Sequence, residues 1–165
     1  MKKHIIDLRI TFVDRLHPRY VLIKGTPADG SRLSEMLPGQ FAQLKVEGSP
    51  ETYLRRPISI HDVTSDTVTS TNKGEEVSFL IALAGKGTRQ LATLKVGDTL
   101  NCIIPLGRGF SMPTTDAPRI LLCGGGVGIA PLLLMGRRMK EAGFEPTFLL
   151  GGRSAGDILR LSEYE

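Results

Sequence analysis

A chain of 165 residues, 41% hydrophobic and 23% charged with a formal net charge of +4, has the balance of a globular protein able to bury a core. No apolar run reaches the roughly 18 to 20 residues of a membrane helix. Charges at Asp7, Arg9, Asp14 and Arg15 interrupt the start where a signal peptide needs an apolar block, so the sequence reads as cytoplasmic with no membrane association. The positive charge lies up to residue 110, with 15 basic against 11 acidic residues there and six against six beyond. Its only paired cations in that part are Lys2-Lys3 and Arg55-Arg56, and aromatics make up 5%, which argues against nucleic acid as a partner.

Up to about residue 110 the apolar pattern has strand length and is broken by turn residues at short intervals. Strands are expected at Ile5–Val13, Tyr20–Ile23, Gln40–Val46, Ile58–Val63, Thr67–Thr71, Val77–Leu83 and Thr99–Ile104. Between them stand "TPADGS", "LPGQ", "EGSPE", "TNKGEE" and "KVGDT", the punctuation of hairpins and barrel corners. Short strands without intervening helices point to a β-barrel or sandwich. One helical turn is expected within 87–94, where Leu91 and Leu94 stand three apart.

The pattern then changes. "SMPTTDAPR", 111–119, reads as a linker, "ILLC" as a buried strand, Ile129–Ala142 as a helix, "PTFLL" as a second strand, and Ser154 or Asp157 as the start of another helix. Strand, helix, strand is the order of a parallel α/β sheet. The expected division is a barrel over 1–110 and the beginning of a nucleotide-binding α/β domain over 111–165. Because a doubly wound fold uses five or six strands, we expect the remainder of that domain to lie beyond the sequence. Cys102 and Cys123 sit in apolar runs without CxxC spacing and are expected to be buried free thiols.

Four stretches carry possible chemistry. In "YLRRPISIHD", 53–62, Arg56 and Ser59 offer a guanidinium and a hydroxyl where a strand begins, and a diphosphate suits them; a solvated arginine pair on an edge strand is the plain alternative. In "LIALAGKGTRQL", 80–91, a strand runs through Gly85, Gly87 and Thr88 into a helical turn whose amides could receive an anion, or which simply makes a hairpin. "PLGRGF", 105–110, reads best as a closing turn. In "GGGVGIAPL", Gly124, Gly125, Gly126 and Gly128 stand between a buried strand and a helix, where α/β folds place ligands, although Ile129 departs from the GxGxxG pattern.

The order "RRPIS", "GKGT", "PLGRGF", "GGGVGIAPL", preceded by "PGQFAQLKV", resembles the ferredoxin-reductase superfamily, in which a flavin-binding barrel precedes a nicotinamide-nucleotide domain. Within it, "RRPISI" with "GKGT" is most similar to the electron-transfer subunits of bacterial two-subunit, NAD-linked dihydroorotate dehydrogenases. The resemblance implies FAD held by Arg56, Pro57, Ile58 and Ser59, with Leu80, Ile81 and Ala82 along the cofactor. It implies the FAD diphosphate at Gly87 and Thr88, beside the Gly85 that the turn itself offers, and NAD at Gly124, Gly125, Gly126 and Gly128.

It further implies a separate catalytic dihydroorotate dehydrogenase subunit as partner, in pyrimidine biosynthesis, with a [2Fe–2S] cluster between the two. The cluster's four cysteines, and a Cys-Gly-Pro element beside the nicotinamide, would belong to the region beyond Glu165. No side chain here need act as general acid or base, and no metal ligand is expected in this part. A free-standing NAD(P)H–flavin reductase, or the reductase subunit of another oxidoreductase, fits the barrel motifs almost as well. From a different class, a cofactor-free barrel could bind an acidic partner or RNA through Arg55, Arg56, Lys86 and Arg89.

Overall fold

A computed structural model describes residues 3–64, 75–114 and 119–165. The expected strand Thr67–Thr71 and part of the linker fall outside these residues. Seven strands form one antiparallel sheet: β1 (His4–His17), β2 (Tyr20–Pro27), β3 (Phe41–Leu44), β4 (Arg56–Ser59), β5 (Asp62–Thr64), β6 (Glu76–Ala82) and β7 (Thr99–Leu106). Their spatial order is β4-β3-β7-β1-β2-β6-β5. The two edge strands, β4 and β5, are separated in sequence by Ile60 and His61 alone, so the sheet must curl until its edges meet. Ile60 donates its amide to Gln40 at the β3 side and His61 donates to Ser78 on β6.

That corner corrects one expectation. Ile58–Val63 reads as a single strand, but the chain bends at Ile60–His61 and changes partners, pairing with β3 before the bend and with β6 after it. The apolar run is continuous because both sides of a barrel corner are buried. Inside the curl, Leu8, Ile10, Val21, Ile23, Ala42, Leu44, Phe79, Ile81, Leu100, Cys102 and Ile104 form the core. They follow the two-residue period that turns alternate side chains inward. Each large one contributes on the order of 1.5–3 kcal/mol by leaving water.

Arg55 seals the seam between β3 and β7. Its guanidinium donates to Gln43 O, Asn101 O and the Asn101 side chain, and Asn101 in turn donates to Asp7 at 2.6 Å. The closing turn at 105–110 behaves as its composition suggests. Phe110 lies over Gly39 and donates its amide to Pro38 O at 2.7 Å, while Gly107, at φ +82°, leaves room for the Phe41 ring.

After the linker, β8 (Leu121–Gly125) and β9 (Thr147–Gly151) pair in parallel, joined by a short 3-10 turn over Gly126–Ile129 and the helix α2 (Leu132–Glu141). The helix therefore begins three residues later than the periodicity suggests, because Pro131 stands at its N-cap and the glycines before it are wound into the tighter turn. Gly136 on α2 faces Phe148 on β9 so closely that a Cβ would strike the ring. The helix expected after Ser154 is not formed. Two 3-10 turns, Ala155–Asp157 and Leu161–Glu163, stand in its place, with Arg160 between them in the left-handed region at φ 54°.

Burial along β8 and β9 alternates. Leu122, Phe148 and Leu150 pack inward, whereas Leu121, Cys123 and Leu149 are exposed. Cys123 thus departs from the expectation of burial: the two-stranded sheet is covered by α2 on one face, and the thiol is on the other. Cys102 is fully buried in the barrel, as expected. Among the described residues no helix is long and apolar enough to cross a membrane.

Candidate functional site

β6 leaves the barrel at Ala82 and the chain turns through Leu83–Gly85 into α1 (Lys86–Leu91). The fold of that turn is local. The Gly85 amide donates to Thr88 Oγ1, and Thr88 Oγ1 donates to Gly85 O, both at 3.1 Å. Thr88 thereby caps the helix, while the first amides of α1 point away from their own helix, as they must at any helix start. A Cβ placed on Gly87 would lie 2.5 Å from Arg56 Nε and 3.0 Å from its Cζ. The Arg56 guanidinium therefore rests on Gly87.

This brings together two stretches read separately in the sequence. Arg56 Nη1 donates to Leu54 O at 2.8 Å and to Arg55 O at 3.3 Å. Its Nε and Nη2 have no acceptor, and its charge no carboxylate, among the described residues. The other cations nearby are engaged: Lys86 pairs with Glu51, Arg89 donates to Leu83 O, and Arg55 is spent on the seam.

The rest of β4 divides by face. Residues three apart on a strand point to opposite sides, so Ser59 is turned away from Arg56 and does not share one phosphate with it as the spacing suggested. Ile58 is half-buried against the core and Pro57 is exposed. On β6 the side chain of Ile81 belongs to the barrel core and that of Leu80 to the cluster under α2. What Leu80 and Ile81 can present to a ligand is backbone, with Ala82 half-buried at the strand's end.

The glycine row splits as well. A Cβ on Gly124 would lie 2.8 Å from Leu132 Cδ1 and 3.2 Å from Ile129 Cγ2, so this glycine lets α2 and its turn settle on β8. Gly126 is left-handed at φ +53°, with the Tyr20 hydroxyl 3.6 Å from where its Cβ would stand. Gly125 and Gly128 meet nothing closer than 3.7 Å. Gly125 pairs with Gly151 across β8 and β9. Together with Gly126, Gly152, Arg153, Tyr20 and Asp157 they line a cleft of about 360 Å³ at the carboxyl ends of the two strands.

Gly151, Gly152, Arg153 and Tyr20 were not singled out in the sequence. A signal was present for three of them, since "GGR" follows "PTFLL" as "GGG" follows "ILLC". Tyr20 carried none: only the register that sets it opposite Ala82 reveals it. Through Tyr20 the end of β6 and the glycine turn adjoin. Asp157 is held by Arg19 and by Ser154 Oγ at 3.0 Å, which fixes the far wall of the cleft. Nearby, Arg160 grips Glu163 and brings its carboxyl down to about 2, against a contrary push from burial.

No family model matches the chain. It is similar to the dihydroorotate dehydrogenase B (NAD(+)) electron transfer subunit of Shouchella clausii, 39% identical over 124 residues, covering 73% of this chain and 44% of that one. The subunit of the same name from Listeria monocytogenes is 39% identical over 137 residues, covering 81% and 50%. That of Desulforamulus reducens is 33% identical over 155 residues, covering 94% and 55%. The chain belongs to this family of electron-transfer subunits. It spans about half the length of the curated relatives it matches.

Solved structures agree on the family's architecture. The ferredoxin reductase in carbazole 1,9a-dioxygenase superposes with a TM-score of 0.78 at 22% identity, over 100% of this chain and 49% of that one. Phthalate dioxygenase reductase does so at 0.72 and 19%, over 96% and 47%. An NADH-dependent reduced ferredoxin-NADP oxidoreductase reaches 0.75 at 26%, over 96% and 52%. The ferredoxin-reductase-like fold, a barrel followed by an α/β segment, is the one expected from the motif order.

Proposed function

We propose that this chain is the FAD-binding part, with the start of the NAD-binding part, of an oxidoreductase electron-transfer subunit that serves a catalytic dihydroorotate dehydrogenase subunit in the cytoplasm. The observation that carries it is the Arg56 guanidinium, uncompensated and resting on Gly87 at the start of α1. One guanidinium fork and the amides of a helix start, side by side, suit a diphosphate better than a single phosphate. That favours FAD over FMN. Ser59, on the opposite face of β4, would then serve a different portion of the same long ligand.

The proposed division places the flavin part at 1–110 and the nucleotide part at 111–165. A bound flavin supplies exchange of single electrons with one partner and of hydride with another. The residues here bind and orient. Arg56 and the α1 amides hold the negative charge, Gly85 keeps the approach open, Gly87 makes room for the Arg56 guanidinium, and Gly125 and Gly126 leave the second cleft free for the pyrophosphate of NAD. A [2Fe–2S] cluster, which needs four protein ligands, belongs in this proposal to the part of the relatives beyond the matched half. The pairing of Lys86 with Glu51 and the use of Arg55 in the β3–β7 seam weigh against a cofactor-free barrel that uses these cations as a basic patch.

The test is chromatography of the flavin released from the purified, FAD-supplemented chain. One FAD per chain is expected. Retention of FMN alone would remove the diphosphate argument, and no retained flavin would remove the proposal.

A further inference from the structure

His61 stands at the barrel corner between β4 and β5 with its side chain 2% exposed. Its Nδ1 lies 2.7 Å from Ala130 O. A carbonyl only accepts, so Nδ1 carries the proton. One residue earlier, Tyr164 Oη donates to Ile129 O at 3.0 Å. Two consecutive carbonyls, where the glycine turn hands over to α2, are therefore held by side chains from outside their own segment.

Two ion pairs stand nearby. Nε2 lies 3.8 Å from the Glu163 carboxylate, too far for a hydrogen bond, and Glu163 is itself gripped by Arg160. The next residue, Asp62, pairs with Arg137 of α2 at 2.8 Å. An apolar residue would fill this corner without burying the unpartnered Nε2, a cost that needs compensation. The compensation on view is the hydrogen bond from the barrel to the turn.

We propose that His61 is a positioning residue that fixes where the glycine turn stands on the barrel, and so sets the fit of a nicotinamide nucleotide that it does not touch. The nucleotide part of this inference rests on the function proposed above. Replacements separate the hydrogen bond from mere filling of space: Asn places an N–H near the position of Nδ1, Gln near that of Nε2, and Leu supplies neither.

The experiment uses the 165-residue chain loaded with FAD and compares H61N, H61Q and H61L with wild type. It reads amide exchange over residues 126–133 and the dissociation constants of NADH and FAD. H61L and H61Q are expected to speed exchange there and weaken NADH by about tenfold each, with FAD within about twofold of wild type, and H61N to recover most of both. Equal behaviour of all three variants, or losses shared with FAD and the barrel amides, would overturn the inference, because His61 would then only fill space. If wild type binds no NADH, the start of the nucleotide part is not enough to hold it. Exchange then decides alone: recovery by Asn and not Gln supports the positioning role, and its absence overturns it.

Discussion

Arg56 lies on Gly87 because Gly87 has no side chain: a Cβ there would stand 2.5 Å from Arg56 Nε. Two effects of Gly87→Ala therefore have opposite signs. Alanine favours the helix by about 0.5–1 kcal/mol over glycine, and the obstructing atoms belong to the end of a flexible side chain, so the fold should be unchanged or slightly more stable. The same methyl displaces the guanidinium. We expect a melting temperature at or above wild type together with weakened FAD binding, and a Gly87→Ala chain that binds FAD normally would separate Arg56 from the site.

The glycines of the second cleft should also separate into two kinds. Gly124→Ala forces a methyl to 2.8 Å from Leu132 Cδ1 and should cost about 1–3 kcal/mol of stability, the range for overpacking. At Gly125 an added Cβ meets only an ordinary contact at 3.7 Å, and the backbone is already extended, so Gly125→Val is the contrasting variant. It should leave stability and FAD binding intact while its side chain fills the cleft and weakens NADH by about tenfold or more. Denaturant titration and NADH binding measured on both variants would show the reverse pattern if Gly125 were the packing glycine.

The two thiols differ in environment, and their chemistry should follow. Burial pushes the Cys102 thiol up to about 12, and the thiolate is the reactive form, whereas Cys123 lies exposed on β8. A thiol reagent at neutral pH should label one cysteine per folded chain, at position 123 by peptide mapping, and two in denaturant. Labelling of Cys102 in the folded chain would contradict the packing of the barrel.

Much of this was legible in residue order. Five of the expected barrel strands, the helical turn after Gly85 and the parallel pair each had the right period and the right punctuation. What escaped depends on three-dimensional neighbours. The corner at Ile60–His61 is hidden because both of its sides are apolar, and the exposure of Cys123 because an apolar run does not say how many faces of a sheet are covered. The contact between Arg56 and Gly87 joins residues 31 apart, and the pairing of Tyr20 with Ala82 joins residues 62 apart. No local pattern encodes either. Ser59 shows the converse error: a spacing of three looked like proximity until the strand assigned the two side chains to opposite faces.

The central claim is that this chain holds FAD through Arg56, and the most direct measurement is a titration of the flavin-free chain with FAD, wild type against Arg56→Ala. Wild type should bind one equivalent. Loss of a charge-assisted hydrogen bond removes about 1.5–3 kcal/mol, so the variant's dissociation constant should rise roughly 10- to 150-fold with its circular dichroism unchanged. A wild-type chain that takes up no FAD, or an Arg56→Ala chain that binds it equally well, would contradict the account.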